Sequence, residues 1–135
     1  MKRRSNLLRT WVRVVLALYT SALLTATHWP GLTIEGPIDR TDLVIHAGVL
    51  FWWTVLLYGS GLIASGGCGC LKRRLVWTGV AGFAFAVFDE STQPMFHRVF
   101  DPLDLAADFF GVAIAIAGIA LCRRRWGGAM PGVGE

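Results

Sequence analysis

The chain has 135 residues, of which 54% are hydrophobic and only 16% charged, and its mean hydropathy is +0.53. Soluble globular domains carry about 25% charged residues, so a soluble core of this size could not cover so many apolar side chains. The net charge of +4 does not indicate a nucleic-acid partner, because the bases fall in three short clusters beside apolar runs rather than on one face. The composition therefore predicts a single-domain membrane protein.

Two apolar runs in the first half of the chain predict transmembrane helices. The first covers residues 14–29 and follows five bases, so it also resembles a secretory signal. Because no Ala-x-Ala triplet ends this run, we expect a retained helix. The second run covers residues 43–64, which exceeds the roughly 20 residues that a helix needs to cross a bilayer.

The second half of the chain predicts two more helices. The run at 75–88 would rise only about 21 Å, short of the roughly 30 Å hydrocarbon core. Its helix is therefore expected to continue towards Gln93, where Pro94 disfavours further helix. The fourth run covers residues 103–122, and Asp101-Pro102 before it is typical of an N-cap followed by a first-turn proline.

The distribution of bases predicts the orientation of these helices. If the N-terminus is cytosolic, eleven of the thirteen bases lie on the cytosolic side, and only Arg40 and Arg98 lie on the other side. The expected fold is an all-α, polytopic membrane protein with four transmembrane helices and cytosolic N- and C-termini. Its parts would be a basic N-terminus at 1–13, a four-helix domain at 14–122 and a basic, Gly-rich tail at 123–135.

Acidic residues show the opposite distribution, since eight of the nine, including Glu35 and Asp39, fall on the predicted extracytoplasmic side. Several of them form polar stripes at helical spacing with other polar residues. These stripes are Asp42 with His46, Glu90 with Gln93, and Asp101 with Asp104 and Asp108. Charges at such a depth are costly unless they are paired or hydrated, so three converging stripes indicate a functional site. A purely structural role remains open, in which Arg98 bridges Asp104 and Glu90.

Small residues recur at spacings of three and four on the last two helices. They are Gly79, Gly82 and Ala86 on the third helix, and Gly111, Ala115 and Gly118 on the fourth. Small residues at this spacing allow helix backbones to approach closely. We therefore expect these two stripes to be helix contacts.

The polar pattern resembles the VanZ-like family of membrane proteins over residues 39–118. Asp42-x-x-x-His46 is similar to the family's D-K-x-x-H segment, and the residues from Glu90-x-x-Gln93 through Arg98 and Asp104 to Asp108-x-x-Gly111 are similar to its E-x-x-Q…R…D-x-x-x-N-x-x-G segment. Leu43 stands where a Lys is usual and Asp108 where an Asn is usual, so this site is more acidic than the family pattern. The resemblance implies a small multi-pass protein of the bacterial cytoplasmic membrane, in a family named for teicoplanin resistance.

The first functional hypothesis is binding or modulation of an envelope lipid headgroup or a glycopeptide-related ligand. Arg98 would contact an anionic group, and the excess of acids favours an amine-bearing headgroup or a bridging cation. The predicted ligand-binding residues are Asp42, His46, Glu90, Gln93, Arg98, Asp104 and Asp108. The oligomeric state stays open.

Two other functions remain open. A membrane-embedded enzyme acting on a lipid-linked substrate would use His46 as acid or base with Asp42 orienting it, while a divalent cation is held by Glu90, Asp104 and Asp108. Proton or cation transport is the third hypothesis, although the predicted inner helix halves carry no acid or His for a relay. Whether the chain is an enzyme is left open.

Overall fold

A computed structural model describes residues 2–30, 40–63 and 71–127. Its regular structure is entirely helical over these residues, as predicted. The helices are α1 at Lys2–Thr27, α2 at Thr41–Ser60, α3 at Leu71–Thr92 and α4 at Pro102–Gly127, with a single 3₁₀ turn at Gln93–Phe96. The predicted tail beyond Gly127 and the acids Glu35 and Asp39 lie outside the described residues.

Three of the four helices are long and apolar enough to cross a membrane. The candidate spans are Asn6–Thr27 of α1, Thr41–Ser60 of α2 and Pro102–Arg125 of α4. Helix α3 has 22 residues and would be about 33 Å long, but it carries three bases in its first turn and two acids in its last. These charges lower its mean hydropathy, although its length suits a bilayer.

The boundary between α3 and α4 follows local chemistry. Helix α3 continues past the apolar run to Thr92, and the following turn contains Pro94, which cannot donate a helical N–H. Asp101 Oδ1 accepts a hydrogen bond from the Leu103 backbone N–H at 2.8 Å, and Pro102 is the first residue of α4. The predicted N-cap and first-turn proline are thus confirmed.

Helix α2 packs against all three of the other helices, most extensively against α4, whereas α1 packs mainly against α2. The buried apolar core contains Leu50, Trp53 and Leu57 of α2. The indole of Trp53 stacks on Phe85 of α3 with ring centroids 4.3 Å apart and donates from Nε1 to Thr20 of α1 at 2.9 Å. Helix α2 is therefore the central helix, which the other three contact.

Two glycines permit the closest helix approaches. A Cβ on Gly111 would lie 2.1 Å from the Ala47 carbonyl oxygen, so only glycine fits where α4 meets α2. A Cβ on Gly82 would lie 2.9 Å from Val112. Gly118, by contrast, has open space around its Cβ position, so the small-residue stripe of α4 is packed at Gly111 and at the buried Ala115 but not at Gly118.

Arginines hold the C-terminal end of α2. Arg13 of α1 donates from Nε to the Ser60 carbonyl at 3.1 Å. Arg74 of α3 donates to the Tyr58 carbonyl, and its guanidinium lies 4.1 Å from the centroid of the Tyr58 ring. Cations here complement the negative end of the helix dipole. We call this the basic end of the bundle, where α1 and α3 begin and α2 and α4 end.

Candidate functional site

The opposite, acidic end of the bundle is where α1 and α3 end and α2 and α4 begin. It contains a cavity of about 160 Å³ that we call the acidic cavity. The lining of the acidic cavity contains both apolar and polar residues. The apolar residues are Leu23, Ala26, Ile45, Val49 and Leu50, and the polar residues are Thr27, Asp42, His46, Asp89, Arg98 and Asp104.

His46 lies between two carboxylates of α4. Its Nδ1 is 3.2 Å from Asp108 Oδ1, and its Nε2 is 3.7 Å from Asp104 Oδ2. Asp108 is completely buried. The sequence predicted Asp42 in the orienting role, but the side chain that hydrogen-bonds to His46 Nδ1 is Asp108, through its Oδ1, while Asp42 lines the cavity. The physical reason is the close approach of Gly111 to Ala47, which lies beside His46 and brings α4 onto this face of α2.

Asp89 is a member of the site that the sequence analysis did not select. It is 1% exposed and lines the acidic cavity. Thr27 donates to Asp89 Oδ1 at 2.8 Å, and His28 Nδ1 lies 3.8 Å from the same oxygen. A signal was available in the sequence, because Asp89 continues the spacing of Gly82 and Ala86 along the inward face of α3.

Glu90 and Gln93 lie behind the cavity rather than on its lining. Gln93 donates from Nε2 to Glu90 Oε2 at 2.8 Å, and the Asp101 backbone N–H donates to Glu90 Oε1 at 2.8 Å. Both carboxylate oxygens of this buried side chain therefore have protein donors. Glu90 joins the end of α3 to the start of α4, which is a structural role.

Polar contacts also fasten α1 to α3 beside the cavity. His28 Nδ1 is 2.9 Å from the Leu24 carbonyl oxygen, and its Nε2 is 2.9 Å from Thr92 Oγ1. The imidazole edge also meets the Phe96 ring, with centroids 4.8 Å apart. Together with the Thr27–Asp89 hydrogen bond, these contacts form what we call the α1–α3 latch. Two members of the latch, Thr27 and Asp89, also line the acidic cavity.

Three buried carboxylate oxygens lack a hydrogen-bond partner within the described part of the chain. They are Asp89 Oδ2, Asp104 Oδ1 and Asp108 Oδ2. A buried acceptor without a donor costs about 1–3 kcal/mol, and more when it is charged. Such groups therefore indicate a missing donor, such as a ligand, an ion or an ordered water.

The carboxylates are not arranged as a metal centre. Among the described residues, no group of three His, Cys, Asp or Glu side chains is placed to hold a metal ion. The predicted set of Glu90, Asp104 and Asp108 is split, because the oxygens of Glu90 are engaged by Gln93 and by the Asp101 N–H. The arrangement suits a ligand that brings its own hydrogen-bond donors.

Comparison with known proteins finds no family model that matches the chain, and no curated protein and no solved structure similar to it. The resemblance to the VanZ-like family thus stays a prediction carried by the motif residues.

Proposed function

We propose that this protein is a four-helix integral membrane protein that binds the amine-bearing headgroup of an envelope lipid in the acidic cavity. One observation carries the proposal. Asp89 and Asp104 are buried, line the same cavity, and each has one carboxylate oxygen without a partner in the described residues. An ammonium group supplies both the positive charge and the N–H donors that these oxygens require.

The charge balance around the cavity supports a cationic group. Three carboxylates line it, those of Asp42, Asp89 and Asp104, whereas the lining bases are Arg98 and the imidazole of His46. Asp108 adds a fourth carboxylate directly behind His46. In a site with low effective dielectric, this excess attracts a cation far more strongly than it would in water.

The size of the cavity favours a headgroup over a whole glycopeptide. Pockets for drug-sized ligands measure roughly 300–1,000 Å³, and the acidic cavity measures about 160 Å³. Its apolar lining residues suit the hydrocarbon next to a headgroup. A glycopeptide could therefore place only one small amine-bearing part in this cavity.

The location of the cavity supports an extracytoplasmic site. Arg13 and Arg74 lie at the basic end of the bundle, as do the bases at positions 123–125, and bases are retained on the cytosolic side of membranes. With that end in the cytosol of a bacterium, the acidic cavity faces the outer leaflet. Helix α3 would be the fourth span.

Binding of a simple long-chain amine tests the proposal. Purified protein in detergent is titrated with dodecylamine and, separately, with dodecanol, which has the same chain without the charge. We expect saturable binding of the amine alone, weakened about tenfold or more by Asp104→Asn, since one buried charge-assisted hydrogen bond is lost. Asp101→Asn is the matched control, because Asp101 is a helix cap outside the cavity lining. Equal binding of amine and alcohol would contradict the proposal.

A second candidate function rests on the His46–Asp108 hydrogen bond. A histidine that is oriented through one ring nitrogen and lines a cavity has the arrangement of a general acid or base. The protein would then act on a lipid-linked substrate, with Asp108 orienting His46. Mass spectrometry of lipid extracts from cells that express the wild type or His46→Gln would reveal a product; identical extracts would remove this candidate.

A further inference from the structure

We infer that the ligand is a zwitterionic phospholipid whose headgroup carries a primary amine and a phosphate, with the ammonium between Asp89 and Asp104 and the phosphate on Arg98. This inference rests on the proposed function and deepens it, because it names the headgroup. It is argued from three features of the acidic cavity.

The first feature is that groups of both signs line one small cavity. Arg98 lines the same space of about 160 Å³ as Asp89 and Asp104. A ligand with a lone positive charge would use only the carboxylates of this lining. A ligand with an anionic group a few bonds from its amine matches both signs, and the planar guanidinium suits phosphate oxygens.

The second feature distinguishes a primary amine from a quaternary one. The unpartnered oxygens of Asp89 and Asp104 need donors, and a primary ammonium has three N–H groups whereas a trimethylammonium has none. Quaternary ammonium groups are instead recognised by aromatic cages. The described residues that line the cavity include no Trp, Tyr or Phe. The lining therefore suits a primary ammonium, which donates hydrogen bonds, better than a trimethylammonium.

The third feature is the apolar part of the cavity lining. Leu23 and Ala26 of α1 face the cavity together with Val49 and Leu50 of α2. A free phosphoamine in water has no hydrocarbon to bury there, whereas a phospholipid has a glycerol backbone and acyl chains directly next to its phosphate. These apolar lining residues consequently favour a lipid, rather than a free phosphoamine, as the source of the headgroup.

Competition measured by native mass spectrometry of the full chain in detergent tests the inference. The probes are dioleoyl phosphatidylethanolamine, phosphatidylcholine and phosphatidylglycerol with the same chains, dodecylamine and water-soluble O-phosphoethanolamine. We expect phosphatidylethanolamine to bind about tenfold or more tightly than the other two phospholipids, since all three carry the phosphate but only it has a primary ammonium that can donate to Asp89 and Asp104. Soluble O-phosphoethanolamine should bind more weakly than the lipid.

Variants separate the two contacts. Arg98→Gln should weaken phosphatidylethanolamine about tenfold or more without weakening dodecylamine, and retained dodecylamine binding also shows that the variant is folded. Asp104→Asn should weaken both ligands, and the control Asp101→Asn should weaken neither.

Each result that differs from these expectations contradicts one part of the inferred binding mode. If phosphatidylcholine binds as tightly as phosphatidylethanolamine, the inferred contact of a primary amine with Asp89 and Asp104 is wrong. If Arg98→Gln binds phosphatidylethanolamine as tightly as the wild type, the inferred phosphate contact is wrong. Soluble O-phosphoethanolamine binding as tightly as the lipid overturns the lipid source. If dodecylamine binds and phosphatidylethanolamine does not, the inference fails and the proposed function stands. If neither binds, both fail.

Discussion

Within the buried polar site, the carboxylate of Asp108 is paired with the imidazole of His46. Asp108 is completely buried, and its Oδ1 lies 3.2 Å from His46 Nδ1. Its Oδ2 has no partner in the part of the chain that the structure describes. A carboxylate in this position is therefore costly as soon as the imidazole is removed.

We predict that His46→Ala destabilises the protein by about 3–5 kcal/mol, the usual cost of leaving one member of a buried charged pair alone. The double variant His46→Ala/Asp108→Asn should recover much of this loss, because a neutral amide is cheaper to bury than a carboxylate. Thermal unfolding of the purified variants in one detergent measures the difference. A double variant less stable than His46→Ala alone would show that the charge of Asp108 is not the cause.

At the scale of the helices, the close approach of α4 to α2 positions this pair. Gly111→Ala should destabilise the protein by roughly 1–3 kcal/mol, as overpacked sites do, because its Cβ would overlap the Ala47 carbonyl oxygen. Gly118→Ala, on the same helix, meets nothing within 4 Å and should be neutral or stabilising, since Ala favours helix over Gly. Thermal unfolding compares the two; an equal loss for both would place the cause in the helix backbone instead.

The α1–α3 latch makes a separate prediction for α1. Thr27→Val removes the donor to Asp89 Oδ1 and should speed amide hydrogen exchange at the end of α1, with little effect on the middle of α2. Thr25→Val is the control, because Thr25 is exposed and bonds only within its own helix to the Ser21 carbonyl. Exchange that is unchanged by Thr27→Val would show that the Thr27–Asp89 hydrogen bond does not hold the end of α1.

Local features of these helices could be predicted from the sequence. The extension of α3 beyond its apolar run and the cap at Asp101 depend on residues that are neighbours along the chain. The partner of His46 could not be predicted, because it depends on which faces of α2 and α4 meet in the folded bundle. The role of Asp89 depends in the same way on tertiary packing, because its contact with α1 is what buries it.

At the scale of the whole molecule, the two ends of the bundle differ in charge and in their relation to the site. The acidic cavity lies at the end where α2 and α4 begin, and the arginine contacts to Ser60 and Tyr58 lie at the other end. Exposed apolar side chains such as Trp11, Leu18 and Phe110 cover the outer faces between these ends. A bilayer would solvate these faces and leave both polar ends in contact with water.

Labelling of single cysteines with a membrane-impermeant maleimide tests this arrangement in intact cells. All three native cysteines are replaced by Ser, and Cys is introduced at Val99, which is 86% exposed at the acidic end, or at exposed Lys72 at the basic end. We expect Val99→Cys to be labelled from outside and Lys72→Cys only after the membrane is permeabilised, because bases are retained in the cytosol. The reverse result would place the acidic cavity in the cytosol. Since Lys72 lies at the start of α3 and Val99 follows its end, labelling of both from outside would show that α3 does not cross the membrane.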